Sequence, residues 1–166
     1  LLDNDFIMGF ENNTYCATAI LASIPRHPYL KTMCDFYQKK QFINDKNQID
    51  NTPSPAFWTY FLKRDYGLKL NNKYQLLNSI NENDNAKIAI YPKDYFSPLN
   101  YTTKKLKVTN NTYTIHYFNA SWFTNKMKTR EKFLKNVYYI FSPFIFDIFT
   151  KIWLYSVFRK IKKIKI

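Results

Sequence analysis

Phe6-Ile7-Met8-Gly9-Phe10-Glu11-Asn12-Asn13 sets the reading of the chain. The run Phe6–Phe10 carries no charge, is short enough for a buried strand, and stops at a polar Glu11-Asn12-Asn13 turn. A second run, Tyr15–Ser23, rich in Ala, Ile and Leu, comes directly after it. Pro25 and Pro28 break it and leave Arg26-His27 in a loop. The period then changes. Leu30, Met33, Cys34 and Tyr37 fall at i, i+3, i+4 and i+7, which predicts a helix over Tyr29–Gln41. Asn44–Asn51 is polar and reads as a surface loop. Ser54-Pro55 has the form of a helix start, with Ser as N-cap and Pro at the first helical position, and Gly67 is placed to end that helix after Tyr66. Asn78–Asn85 reads as another polar loop. Ile88–Tyr91 and Thr112–Phe118 read as strands, the latter from its β-branched and aromatic content. Between them, Pro92, Pro98 and a polar stretch through Asn111 predict a long irregular connection. Strands and helices alternate, so the expected class is α/β.

Composition narrows the function. The chain has 166 residues, 46% hydrophobic and 19% aromatic, which fits a chain with a packed core and not a disordered one. Its two glycines, Gly9 and Gly67, cannot build a G-x-G-x-x-G or Walker loop. Two cysteines (Cys16, Cys34) and two histidines (His27, His116) exclude a zinc finger or a disulfide framework. Asp3, Asp5 and Glu11 interrupt the first apolar residues, so nothing at the front reads as a signal peptide.

The net charge of +13 is unevenly placed. Residues 1–125 hold 14 basic and 10 acidic side chains, whereas residues 126–166 hold 11 basic and 2 acidic. Lys132–Tyr139 is weakly amphipathic, Pro143 breaks the pattern, and Phe144–Phe158 is apolar on almost every side. Arg159-Lys160-Ile161-Lys162-Lys163-Ile164-Lys165 closes the chain. A spanning helix needs about 20 consecutive apolar residues, and this segment falls short because Asp147 and Lys151 interrupt it. Two readings fit residues 126–166: a helix lying on an anionic membrane surface, or a helix packed on the domain with a solvated basic end. The membrane reading is the expectation, and with it a cytoplasmic, peripherally membrane-associated protein.

Chemistry concentrates in Thr114-Ile115-His116-Tyr117-Phe118-Asn119-Ala120-Ser121-Trp122. A strand would deliver His116 to its end, where neutral imidazole suits a divalent metal and Asn119 and Ser121 can add oxygens. Trp122 offers a flat stacking face and an indole N–H. Taken alone, this pattern also fits a structural histidine and a core tryptophan.

The same segment resembles the I-H-H-x-x-x-S-W signature of glycosyltransferase family 32, the sugar transferases that carry a D-x-D motif. Phe6–Asn12 resembles that family's strand after the D-x-D region, and Ala19–Ser23 with His27-Pro28 resembles its small-residue strand and G-H-P turn. Ile90-Tyr91-Pro92-Lys93-Asp94-Tyr95-Phe96-Ser97-Pro98 resembles its Y-P-x-x-Y-F-x-P stretch. Tyr117 stands where the family has its second histidine. Asp3-Asn4-Asp5 fits the letters of D-x-D but sits directly before the Phe6–Phe10 strand, and reads as a solvated loop.

The resemblance implies the C-terminal part of a GT-A fold over residues 1–125, an α/β sandwich around a mainly parallel sheet whose D-x-D half lies upstream. The basic, aromatic-rich helical tail at 126–166 comes after it. It also implies a metal-dependent transfer from a nucleotide-sugar donor to a glycan or lipid-linked acceptor in cell-surface polysaccharide synthesis. The ion would be Mn2+ or Mg2+, which neutralises charge on the departing nucleoside diphosphate. By this likeness His116 serves the metal or diphosphate, Asn119, Ser121 and Trp122 bind the nucleotide-sugar, and Glu11 and Asn12 line the sugar or acceptor pocket. Two other readings compete: a basic nucleic-acid-binding module, and a non-catalytic membrane-associated remnant of a glycosyltransferase. The first predicts a steep salt dependence on nucleic acid without preference for anionic vesicles. No nucleic-acid partner is expected, because the basic residues are interleaved with Ile, Phe and Trp.

Overall fold

The computed structural model describes residues 3–43, 47–50, 52–81, 85–119, 124–125, 128–129, 132–133, 136 and 142–162. In chain order the elements are β1 (Phe6–Phe10), β2 (Cys16–Ser23), α1 (Pro28–Lys39), α2 (Ser54–Tyr66), β3 (Gln75–Asn78), β4 (Lys87–Tyr91), α3 (Lys93–Phe96) and α4 (Ser142–Lys162). The strands form one sheet in the order β2-β1-β4-β3. β1 and β4 pair in parallel at its centre, and β2 and β3 flank them antiparallel. The class is α/β. Among the described strands the sheet is mixed, with only its central pair parallel, where a mainly parallel sheet was expected.

Both faces of the sheet are covered, which is why its central strands read as unbroken apolar runs. Phe6, Met8, Phe10, Ile88 and Ile90 project to one face and pack with Tyr29, Met33 and Phe36 of α1, Phe57, Phe61 and Leu62 of α2, and Val157 and Ile161 of α4. Ile7, Ala89 and Tyr91 project to the other, against Phe96 of α3, with Ile20, Ala22 and Tyr95 beside them. β2 serves both faces through a register shift. Its pairing passes from Ile7↔Ala22 to Gly9↔Ala17, so β2 uses five residues where β1 uses two. An odd excess turns side chains to the opposite face, and Cys16 therefore joins the first core while Ile20 and Ala22 join the second. Gly9 is required by the second layer: a Cβ there would lie 2.6 Å from the Phe96 ring.

His27 is a buried turn residue that caps α1. Its Nδ1 accepts from the Tyr29 N–H at 3.2 Å, which places the ring proton on Nε2 facing the Lys87 carbonyl at 3.4 Å. The ring also packs against Phe6. The Tyr29 hydroxyl, itself buried, donates to the Trp58 carbonyl at 2.7 Å and ties α1 to α2. Ser54 is the first residue of α2 and Pro53 its cap, so the expected Ser54 cap is displaced by one position; the Ser54 hydroxyl pairs instead with Tyr37. Gly67 closes the helix at φ 67°, the left-handed conformation expected of it.

Two further expectations are corrected, and β3 adds an element without a sequence signal: of Gln75-Leu76-Leu77-Asn78 only Leu77 is buried. α3 occupies the start of the supposed irregular connection. Thr112–Phe118 is not a strand, because its hydrogen bonds run to α3. The Tyr113 and Thr114 N–H groups both donate to the Tyr95 carbonyl, and the Thr112 and Thr114 hydroxyls donate to the Asp94 and Phe96 carbonyls at 2.7 and 3.0 Å.

α4 enters the core by one face. Val157 and Ile161 are 5% and 2% exposed, Phe158 packs on Tyr60, and Trp153 meets Tyr15 edge to face at 6.4 Å between ring centres. No described helix is long and apolar enough to cross a membrane.

Candidate functional site

In an open α/β sheet, loops at the carboxyl ends of parallel strands are where ligands gather. Here those ends belong to β1 and β4, and the segments leaving these two strands carry most of the described candidates. Glu11 leaves β1 directly and begins the β1–β2 hairpin, with its N–H bonded to the Tyr15 carbonyl at 2.9 Å. Burial raises its carboxyl from the ordinary 4.5 to about 7. Its charge in turn adds to the burial that pushes the Tyr15 hydroxyl and the Cys16 thiol up. Tyr15 is a residue that the sequence did not single out. It is buried, and its hydroxyl has no hydrogen-bond partner among the described residues.

Asn12 is committed to the turn. Its Oδ1 accepts from the Thr14 N–H and hydroxyl, both at 2.7 Å, and from the Tyr15 N–H at 2.9 Å. That oxygen holds Glu11 and Tyr15 in place, and the side-chain NH2 is the group Asn12 can offer a ligand.

β4 runs into α3, and α3 holds residues 109–114 by the bonds described above and by the Thr109 hydroxyl on Asp94 at 2.9 Å. His116 extends from this anchor. Its ring lies 4.2 Å from that of Phe118, which packs on Tyr101 with the Lys104 ammonium over both Phe118 and Tyr101. Partial burial, and then the Lys104 charge, lower the His116 pKa below the ordinary histidine value. His116 is thus neutral at physiological pH. Asn119 is exposed beyond it, as is Tyr117. Ser121 and Trp122 lie outside the described residues. The hairpin pair (Glu11, Asn12) and the 116–119 group each form a local cluster, and among the described residues no hydrogen bond or ring contact joins the two.

No group of three or more His, Cys, Asp or Glu side chains is placed to hold a metal ion among the described residues. His116 has a lysine, not a carboxylate, in its field, so the described residues do not by themselves fit a divalent ion. Asp3 and Asp5 lie near the opposite, amino ends of β1 and β4, lining a polar cleft of about 680 Å3 with Asn78, Ser79 and Lys87. Asp5 accepts the Lys87 N–H at 3.2 Å, a structural tie.

No family model, curated protein or solved structure matches the chain.

The raised Glu11 value has a testable consequence for stability. Its folded value lies above its unfolded one, so the protonated form favours folding. That contribution is complete below about pH 4.5 and is lost as pH rises through about 7. Thermal unfolding is expected to show lower stability at about pH 8 than at about pH 5, with Glu11→Gln removing most of the difference. The gain at the higher pH is about 1–3 kcal/mol, discounted for the part of the carboxyl that water reaches. An unchanged pH slope in the variant would show that Glu11 is solvated.

Proposed function

We propose that the chain is a glycosyltransferase segment that binds a nucleotide-sugar donor and a glycan or lipid-linked acceptor at the carboxyl ends of β1 and β4. The observation that carries this reading is the placement of Glu11, and of the α3-anchored segment bearing His116, after the two parallel strands. Four family-like motifs in order along the sequence support it.

Glu11, with a pKa of about 7, is suited to hydrogen-bond a sugar or acceptor hydroxyl in either protonation state. Neutral His116 can donate one N–H to an anionic diphosphate oxygen without adding a second cation beside Lys104, whose ammonium supplies the positive field. Asn119, with Ser121 and Trp122, would contact the nucleotide-sugar. A Mn2+ or Mg2+ ion would neutralise charge on the leaving diphosphate, with His116 as one candidate ligand and the remaining ligands supplied by groups beyond it. Such an enzyme belongs to cell-surface polysaccharide synthesis at the cytoplasmic side of a membrane.

The test is release of nucleoside diphosphate by the full-length gene product from a panel of UDP- and GDP-sugars, with and without Mn2+. Turnover of at least one donor, stimulated by acceptor glycan, is expected. No release from any donor, under conditions where the protein is folded, would overturn the reading.

A further inference from the structure

α4 has two faces, and among the described residues only one of them packs on the fold. Val157 and Ile161, four residues apart, lie in the main core, and Trp153 one turn earlier on that side meets the Tyr15 ring edge to face while staying 42% exposed. Ile148, Ile152, Tyr155, Arg159 and Lys162 are spaced at intervals of four, three, four and three, and so form a stripe on the opposite side. All five are exposed; Ile152 and Tyr155 are 60% and 68% exposed. Lys151 is exposed beside the stripe, and the sequence continues with Lys163 and Lys165.

We propose that this outer stripe docks the protein on an anionic lipid surface while the inner face remains in the core. The order of side chains along the stripe favours that occupant. Two isoleucines and an amphipathic tyrosine come first and a basic last turn comes after them, which lets apolar groups enter the headgroup boundary while Arg159 and Lys162 meet lipid phosphates. A protein partner or a second copy would have to carry an acidic patch, whereas residues 1–125 of this chain are themselves net basic, at 14 against 10. The helix is too short of apolar residues to cross the bilayer, so it lies along the surface. Through the Trp153–Tyr15 contact, docking would hold the hairpin that carries Glu11 close to the membrane. The proposal stands without the sugar-transfer reading, since it concerns lipid alone.

The experiment is co-sedimentation of the full chain with vesicles of phosphatidylcholine, alone and mixed with phosphatidylglycerol. Binding is expected only to the mixed vesicles. Arg159→Gln with Lys162→Gln should weaken it about tenfold or more, as should Ile152→Ser with Tyr155→Ser, with unfolding midpoints unchanged for both pairs. Equal affinity for neutral vesicles, no binding to either, or full binding by both variants overturns the proposal. So does a dimer in solution that Ile152→Ser with Tyr155→Ser dissociates, because the stripe would then be a protein interface.

Discussion

Ile161→Asp is expected to abolish the folded state, and Ile152→Asp, on the same helix, to leave it nearly untouched. Ile161 is 2% exposed in the cluster shared by both central strands and all the longer helices, whereas Ile152 is 60% exposed. Replacing the first removes a buried side chain worth about 1.5–3 kcal/mol and places a carboxylate among apolar core side chains, at a site 2% exposed. Together these reach about 4–5 kcal/mol or more, the size of the smaller folding stabilities. At an exposed helical site the change is about 0.5 kcal/mol. Urea unfolding monitored by circular dichroism checks both. Equal midpoints for the two variants would mean that α4 does not belong to the core and that the tail is only an appendage.

That contrast could not be read from the sequence. Ile152 lies in Phe144–Phe158, which is apolar on almost every side, and Ile161 lies in the basic closing run, so neither the periodicity nor the charge pattern chooses Ile161 as the core residue. The choice is made by partners far away in the chain, Tyr15 and Tyr60, and only folding brings them to Trp153 and Phe158. Strong local signals fared better. The uncharged Phe6–Phe10 run and the Gly67 stop report preferences that the tertiary structure keeps. The spacing of Leu30 to Tyr37 gives the helix but not its buried face, which is Tyr29, Met33 and Phe36, with Cys34 and Tyr37 exposed. β3 was hidden because an edge strand needs only one buried side chain, Leu77. The threonines at 112 and 114 misled in a different way. They are strand formers by type, but here their hydroxyls bond to the carbonyls of α3. At the candidate site, the identities of Glu11 and His116 were legible and their environments were not. The desolvation of one and the nearby Lys104 of the other depend on the hairpin packing and on residues 101–118 folding back together.

On the proposed sugar-transfer reading, His116→Ala is expected to lower kcat/KM for a nucleotide-sugar by about 100-fold at saturating Mn2+, the loss typical of one preorganised hydrogen-bond donor to developing negative charge. The fold should survive, because His116 is only partly buried and its ring meets Phe118 at the surface of the domain. The pH profile separates a chemical role from a structural one. With its pKa held below the ordinary value by burial and Lys104, His116 stays neutral as pH falls toward 6.5. Its penalty on folding is absent above that value and grows as the unfolded chain takes up the proton first. Lys104→Ala lifts part of that restraint and raises the His116 pKa. If the neutral imidazole is the working form, the acid limb of the kcat/KM profile moves to higher pH in Lys104→Ala and vanishes in His116→Ala. Unchanged turnover in His116→Ala would remove His116 from the site, and an unmoved acid limb in Lys104→Ala would assign that limb to another group, with Glu11 the first to test.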